Sequence, residues 1–253
     1  MKKVLGIGID GITRDLFSQF DKVYRKTFIR NEALVKMDEN FNYVPGDELT
    51  EEFLDKIEEV EKEKITLPVD TFDLLNHYSF TDKESLDQFF VDNAFEIYGS
   101  SSQFPRSFDV VNRLQKFGEV SGLFDVVLLS KEQDMQISAT YHFLAKSGCK
   151  IKKIQFVDEY EDKWNYCDVL VDDCPIVFES KPKDKTSIKI NHEYNTYSEC
   201  DFSFDSVNEI NENFLLKTFD LERYEAFLIK EKEREESNRI QKEKQNTEGG
   251  NDN

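Results

Sequence analysis

Residues 2–17 read KKVLGIGIDGITRDLF, and the segment Gly8-Ile9-Asp10-Gly11-Ile12 within them decides the fold. An apolar run that ends in a glycine-flanked aspartate is the pattern of a buried strand delivering a carboxylate to its C-terminal edge, where open α/β sheets place their ligands. Leu16, Phe17, Phe20, Val23, Tyr24 and Phe28 then recur at helical spacing, so Arg14 to Arg30 is expected to be an amphipathic helix directly after that strand.

Two later stretches repeat the pattern. Phe124 to Leu129 is a near-continuous apolar run, the signature of a fully buried parallel strand, and it ends at Ser130-Lys131. Asp168-Val169-Leu170-Val171-Asp172-Asp173 is a short buried strand that ends in paired carboxylates. Neighbouring side chains on a strand point to opposite sides, so only one of Asp172 and Asp173 can enter a given site unless the strand has already ended.

Helices are expected at Phe108 to Phe117 and at Glu132 to Ser147, the latter stopped by Gly148, with a strand from Lys150 to Val157. Thr186 to Ile190 alternates as a strand, a polar stretch runs to about Phe204, and Val207 to Leu228 is helical. Between the first helix and Pro105, Asn40 to Gly46 reads as a turn. A helix from Thr50 carries Phe53, Leu54, Ile57 and Val60 on one face, and Asp70 to Tyr78 is a short helix or loop. Asp82 caps a further helix whose Leu86, Phe89, Phe90 and Phe95 form an aromatic face.

Three families read onto the opening segment. Gly6, Gly8 and Gly11 satisfy G-x-G-x-x-G, but a dinucleotide fingerprint follows a completed strand, and only Lys3-Val4-Leu5 precede Gly6. Ile9 to Thr13 resembles the first phosphate loop of actin-like and sugar-kinase ATPases, yet no second Asp-Gly-Gly-type loop follows. The third resemblance covers residues 1 to about 180: a hydrophobic strand, then Asp-x-Asp-Gly, as in the haloacid dehalogenase (HAD) superfamily, and specifically its 5'(3')-deoxyribonucleotidase-like branch. Asp10, Gly11, Ile12 and Asp15 match that branch in register, and Gly8 stands where the family has its nucleophilic aspartate.

The resemblance implies an α/β fold, a HAD-like Rossmannoid three-layer parallel sheet with a helical cap insertion and a C-terminal helix. It divides the chain into a core of residues 1–15 and 105–229, a cap with its linkers at 16–104, and a charged C-terminal tail at 230–253. It also assigns roles: Asp10 as the general acid and base, Ser130 and Lys163 as phosphate ligands, and Asp172 with Asp173 as the metal pair. In the active family the first aspartate attacks phosphorus and ligates Mg2+. Glycine at position 8 removes nucleophile and metal ligand together, and shifting the register to make Asp10 the nucleophile would leave Ile12 as the acid.

The expectation is therefore a non-catalytic HAD-like protein kept for binding or assembly, needing no cofactor, with Asp10 a relic and the metal pair weak or vestigial. The alternative is a Mg2+-dependent nucleotidase acting on deoxynucleoside monophosphates. Abundant Phe, Tyr, Asn, Lys and Ile suggest an AT-rich coding genome, and nucleotidases of this branch occur in bacteria and their phages, so a phage particle is one setting to expect.

Charge narrows the partners. With 52 acidic and 33 basic residues among 253, the chain carries −19, which argues against general nucleic-acid binding and against an anionic membrane surface. No apolar run approaches the roughly 18 residues of a membrane helix, so a cytoplasmic protein is expected. The four cysteines form no C-x-x-C pair, and the three histidines lie far apart, which argues against a disulfide framework or zinc site. Residues 230–253 carry six basic and seven acidic groups and almost no apolar ones. Such a segment gains little by folding back on an acidic body, so it is the expected attachment point for a protein partner.

Overall fold

The computed structural model describes residues 2–29, 69–230 and 232–234. The expected turn at 40–46, the helix from Thr50 and the tail beyond 234 lie outside the described residues. Six parallel strands form one sheet: β1 (Lys3–Gly8), β2 (Phe124–Lys131), β3 (Ile154–Val157), β4 (Val169–Asp172), β5 (Thr186–Ile190) and β6 (Phe202–Phe204), in the order β3-β2-β1-β4-β5-β6. The chain builds outward from β1 on one side, then returns to β1's other side, which puts the topological switch at the C-terminal ends of β1, β2 and β4. Register carries Gly8 beside Leu129 of β2, and Ile7 beside Val171 of β4.

The period of two sorts the strands between two cores. Leu5, Ile7, Val126, Leu128, Val169 and Val171 face one, where α3 (Ser107–Ser121), α4 (Asp134–Lys146) and α6 (Glu212–Phe219) supply Leu114, Phe143 and Leu215. Val127, Leu129 and Leu170 face the other, against Trp164 of the 3-10 segment Tyr160–Tyr166 and Val177 of α5 (Pro175–Glu179). Helices on both faces make this a three-layer α/β fold, and burial on both faces explains why β2 reads as an unbroken apolar run. Trp164 also donates its indole N–H to the carbonyl of Val177 at 2.8 Å.

A third cluster stands apart from the sheet. Phe20 and Tyr24 of α1 (Leu16–Tyr24) pack with Tyr78, with Leu86 and Phe89 of α2 (Lys83–Asp92), and with Ile97 and Tyr98. Among the described residues outside 16–98, only Ala139 joins its buried members. Asp82 caps α2 by accepting the Ser85 N–H at 2.8 Å. Phe95 does not belong to the aromatic face: the helix gives way to a π-helical turn at Phe95–Gly99, which carries that ring outward to 47% exposure.

Several boundaries move. The first helix starts at Leu16, capped by Asp15, and not at Arg14, which is wholly buried. The strand expected over Lys150 to Val157 is only Ile154–Val157. The expected helix from Val207 to Leu228 is interrupted: a 3-10 turn at Val207–Glu209, α6 capped by Asn211, and a helical segment at 221–230 whose Arg223 N–H is taken by Asp220. β5 does not alternate in burial, because Ser187 bonds Asp201 and Lys189 bonds the carbonyls of Asn195 and Ser198, so its polar side chains are buried too. All four cysteines are free. Among the described residues, no helix is long and apolar enough to cross a membrane.

Candidate functional site

After Gly8 the chain turns tightly, with the N–H groups of Thr13 and Arg14 both on the carbonyl of Ile9. The turn brings Arg14 back onto Asp10, Nε to Oδ1 at 2.6 Å, and Ser130 at the end of β2 donates to Asp10 Oδ2 at 3.2 Å. The other edge of the Arg14 fork reaches Glu132 Oε1 and Thr140 Oγ1, each at 2.5 Å. The guanidinium carbon lies 4.8 Å from the Tyr98 ring centre and 5.2 Å from that of Phe143. Burial would lower its pKa, but Asp10 and Glu132 more than reverse this and hold it above the usual arginine value. Burial pushes the Glu132 carboxyl up while Arg14 opposes. Ser130 also lies 2.8 Å from Glu132, and its single hydroxyl proton serves one carboxylate at a time.

The second half of the site comes from β4. Lys163 donates to Asp172 Oδ2 at 2.8 Å, and both groups are almost wholly buried. Asp172 Oδ1 accepts the backbone N–H groups of Asp173 and Cys174 at 3.1 and 3.0 Å. Burial would lower the Lys163 pKa, yet Asp172 holds it above the ordinary lysine value. The strand ends at Asp172, so Asp173 escapes the alternation and turns to the same edge. Its carboxyl accepts the Tyr194 hydroxyl, and burial together with the adjacent Asp172 charge pushes its pKa up to about 8.

Two glycines make room for these carboxyls. Gly11 has φ +66, and a Cβ there would overlap the Asp173 carboxyl, so both backbone and space demand glycine. The Gly11 carbonyl accepts His192 Nε2 at 2.8 Å, and His192 stacks on Tyr194 with centroids 5.0 Å apart. At Gly8 the backbone is ordinary, but a Cβ would stand 2.7 Å from Asp172 Oδ2. The place of a side chain at residue 8 is thus taken by the Asp172 carboxylate, itself pinned by Lys163 and two N–H groups.

All six residues singled out in the sequence, Gly8, Asp10, Ser130, Lys163, Asp172 and Asp173, meet at this one edge. Their present bonding does not fit a magnesium ion, which needs near-octahedral oxygen ligands. Asp172 is held by an ammonium that would compete with the cation for the same oxygen, Asp10 is turned to Arg14 and Ser130, and residue 8 has no side chain. Among the described residues, no group of three His, Cys, Asp or Glu side chains is placed to hold a metal. Sequence reasoning missed Arg14, Glu132, Thr140, His192 and Tyr194. Two of these left a trace only as nearness in sequence: Arg14 stands four residues from Asp10, and Glu132 two residues from Ser130.

No family model and no curated protein matches this chain. Solved structures do superpose over most of its length. The beta-phosphoglucomutase of Clostridium difficile is 14% identical with a TM-score of 0.46, covering 90% of this chain and 100% of that one. L-2-haloacid dehalogenase of Xanthobacter autotrophicus is 13% identical, TM-score 0.44, covering 83% and 96%. A HAD phosphatase of Thermococcus onnurineus is 11% identical, TM-score 0.43, covering 87% and 98%. Similarity this distant leaves the functional question to the side chains at the sheet edge.

Proposed function

We propose that this chain is a HAD-like protein of nucleotidase-type descent that no longer transfers phosphate and serves binding or assembly. The observation that carries the reading is the packing at Gly8. A covalent route through an aspartyl-phosphate needs a carboxylate at that position, and the space for one is filled by Asp172 locked to Lys163. The partners of Asp10 and Ser130 support it further. An acid-base aspartate must reach a substrate atom to exchange a proton with it, whereas Asp10 Oδ1 is already engaged by the Arg14 guanidinium at 2.6 Å. Ser130 is 2% exposed and already donates to carboxylates, so its proton is not free for a phosphate oxygen.

The protein partner is assigned to the charged segment 230–253, and a phage particle is one assembly that would supply it. The test of the chemistry is direct. Incubating the protein with Mg2+ and a panel of deoxynucleoside monophosphates should release no phosphate above the buffer rate. Turnover abolished by Asp10→Asn would overturn the reading in favour of a Mg2+-dependent nucleotidase. The assembly half is tested by deleting residues 230–253, which should leave the melting temperature unchanged and abolish co-purification in a large complex.

A further inference from the structure

Asp10, Asp173 and Glu132 lie at the floor of a cleft of about 1370 Å3. Ten carboxyl groups, Asp173 among them, and three lysines line it among the described residues. Lys131 is paired with Glu159 at 2.7 Å and Lys163 with Asp172 at 2.8 Å, while Arg14 sits buried behind the floor between Asp10 and Glu132. Glu132 Oε2, buried there, has no hydrogen-bond partner among the described residues. An anion entering this cleft meets a field of its own sign.

The wall is aromatic. Phe17 and Phe72 each approach Tyr194, with centroids 5.0 and 5.8 Å away, and Phe72 continues the arc to Tyr160 at 5.5 Å. Ring faces carry negative quadrupole density and attract cations. One face of this arc already does so: the Lys131 and Lys163 ammonium groups stand 4.8 and 5.4 Å from the Tyr160 ring centre.

We propose that the cleft binds an organic cation, an amine or guanidinium group on an apolar body, with the charge on Asp10 and the body against Phe17, Phe72 and Tyr194. Asp10 is the most accessible of the three floor carboxyls, its side chain 28% exposed, and each of its oxygens has accepted one hydrogen bond, which leaves lone pairs to offer. With both carboxyls ionised, Asp10, Glu132 and Arg14 sum to one negative charge, which one monovalent cation neutralises. The proposal rests on the reading that this edge no longer processes phosphate esters, and it names what replaced them. The same chemistry comes from a free amine or from an arginine side chain of a partner protein.

Calorimetric titration of the full chain with agmatine, tryptamine, an arginine-containing peptide and inorganic phosphate separates these sources. At least one cation should bind about tenfold more tightly than phosphate, more weakly at high salt, and about tenfold more weakly to the Phe72→Ala and Asp10→Asn variants. Binding of the small amines identifies a free ligand; binding of the peptide alone identifies a partner side chain. No cation binding, binding unchanged in both variants, or phosphate bound more tightly than every cation overturns the proposal. Phosphate release from nucleotides would instead overturn the reading beneath it. Phe72→Ala touches neither buried ion pair, so it keeps the test valid should Asp10→Asn fail to fold.

Discussion

Arg14 and Lys163 close neighbouring carboxyl pairs at the same strand edge, and they do it to different degrees. The planar fork of Arg14 reaches Asp10, Glu132 and Thr140 at once. The ammonium of Lys163 is a compact charge that goes to Asp172, while Asp173 is left to a tyrosine hydroxyl and a raised pKa. One side therefore stores two carboxylates against one delocalised cation, and the other stores a single ion pair beside an acid that stays protonated at neutral pH. The lesson is that arginine and lysine are not interchangeable where neighbouring carboxyls must be neutralised at a strand edge.

Removing each cation in turn is the sharpest way to break that comparison. Arg14→Met should cost about 3–5 kcal/mol in urea unfolding, because it strands the buried Glu132 carboxyl and takes the cation from part-buried Asp10. Arg14→Lys should recover only part, since an ammonium cannot span both partners. A cost below about 1 kcal/mol for Arg14→Met would show that the fork is dispensable.

Lys163→Met should cost less, about 2–3 kcal/mol, since two backbone N–H groups still hold Asp172. The variant should also show a larger Mg2+-dependent rise in melting temperature than the natural protein, as the competing ammonium is gone. At a hundredfold excess over Kd such binding adds about 2.7 kcal/mol. Equal Mg2+ responses in the two proteins would remove Lys163 as the reason the site does not fit a metal.

The Asp173 acid gives a pH signature that the Arg14 side does not share. Its folded pKa, about 8, lies above the ordinary 3.8, so the folded state holds an extra proton between those values. Stability from this group is complete below about pH 4 and is lost as pH rises toward 8, by at most about 1.4 kcal/mol per pH unit. Asp173→Asn should flatten that slope and raise the melting temperature at pH 8, on the order of 1–2 kcal/mol in stability. An unchanged slope in thermal melts from pH 5 to 9 would mean that Asp173 ionises normally.

The smallest effect is expected at Gly8. Gly8→Ala should cost about 1 kcal/mol, because the new Cβ must displace a pinned Asp172 oxygen. In the Lys163→Met background that oxygen is freer, and the penalty should shrink. Additive costs in the double mutant would mean that the two positions are not coupled through Asp172.

What was legible in the sequence follows the same divide. The strands that carry Gly8, Ser130 and Asp172 announce themselves by local pattern, since a strand buried on both faces must be apolar along its length. Asp172 and Asp173 stand at the end of such a run, so their place at the edge could be read directly. Arg14 could not be read that way, because its burial depends on Glu132, 118 residues further along the chain, and a charged residue before an amphipathic segment looks like solvent-facing helix. His192 and Tyr194 fall in a polar stretch with no periodicity. β6 was missed for a related reason: three residues with two exposed side chains offer no apolar run, and Asp201 ties this edge to β5 through Ser187 by side-chain bonds.

Trp164 gives the molecule a built-in optical asymmetry. It is the chain's one tryptophan, 3% exposed, next in sequence to Lys163 and fastened to the carbonyl of Val177. An indole so enclosed emits toward the blue and shifts red when water reaches it. Opening the Lys163 side by substitution, pH or denaturant should therefore be visible in the protein's own emission. Loosening of the Arg14 side, which is ringed by Tyr98 and Phe143 and contains no indole, should leave that emission in place until the whole chain unfolds.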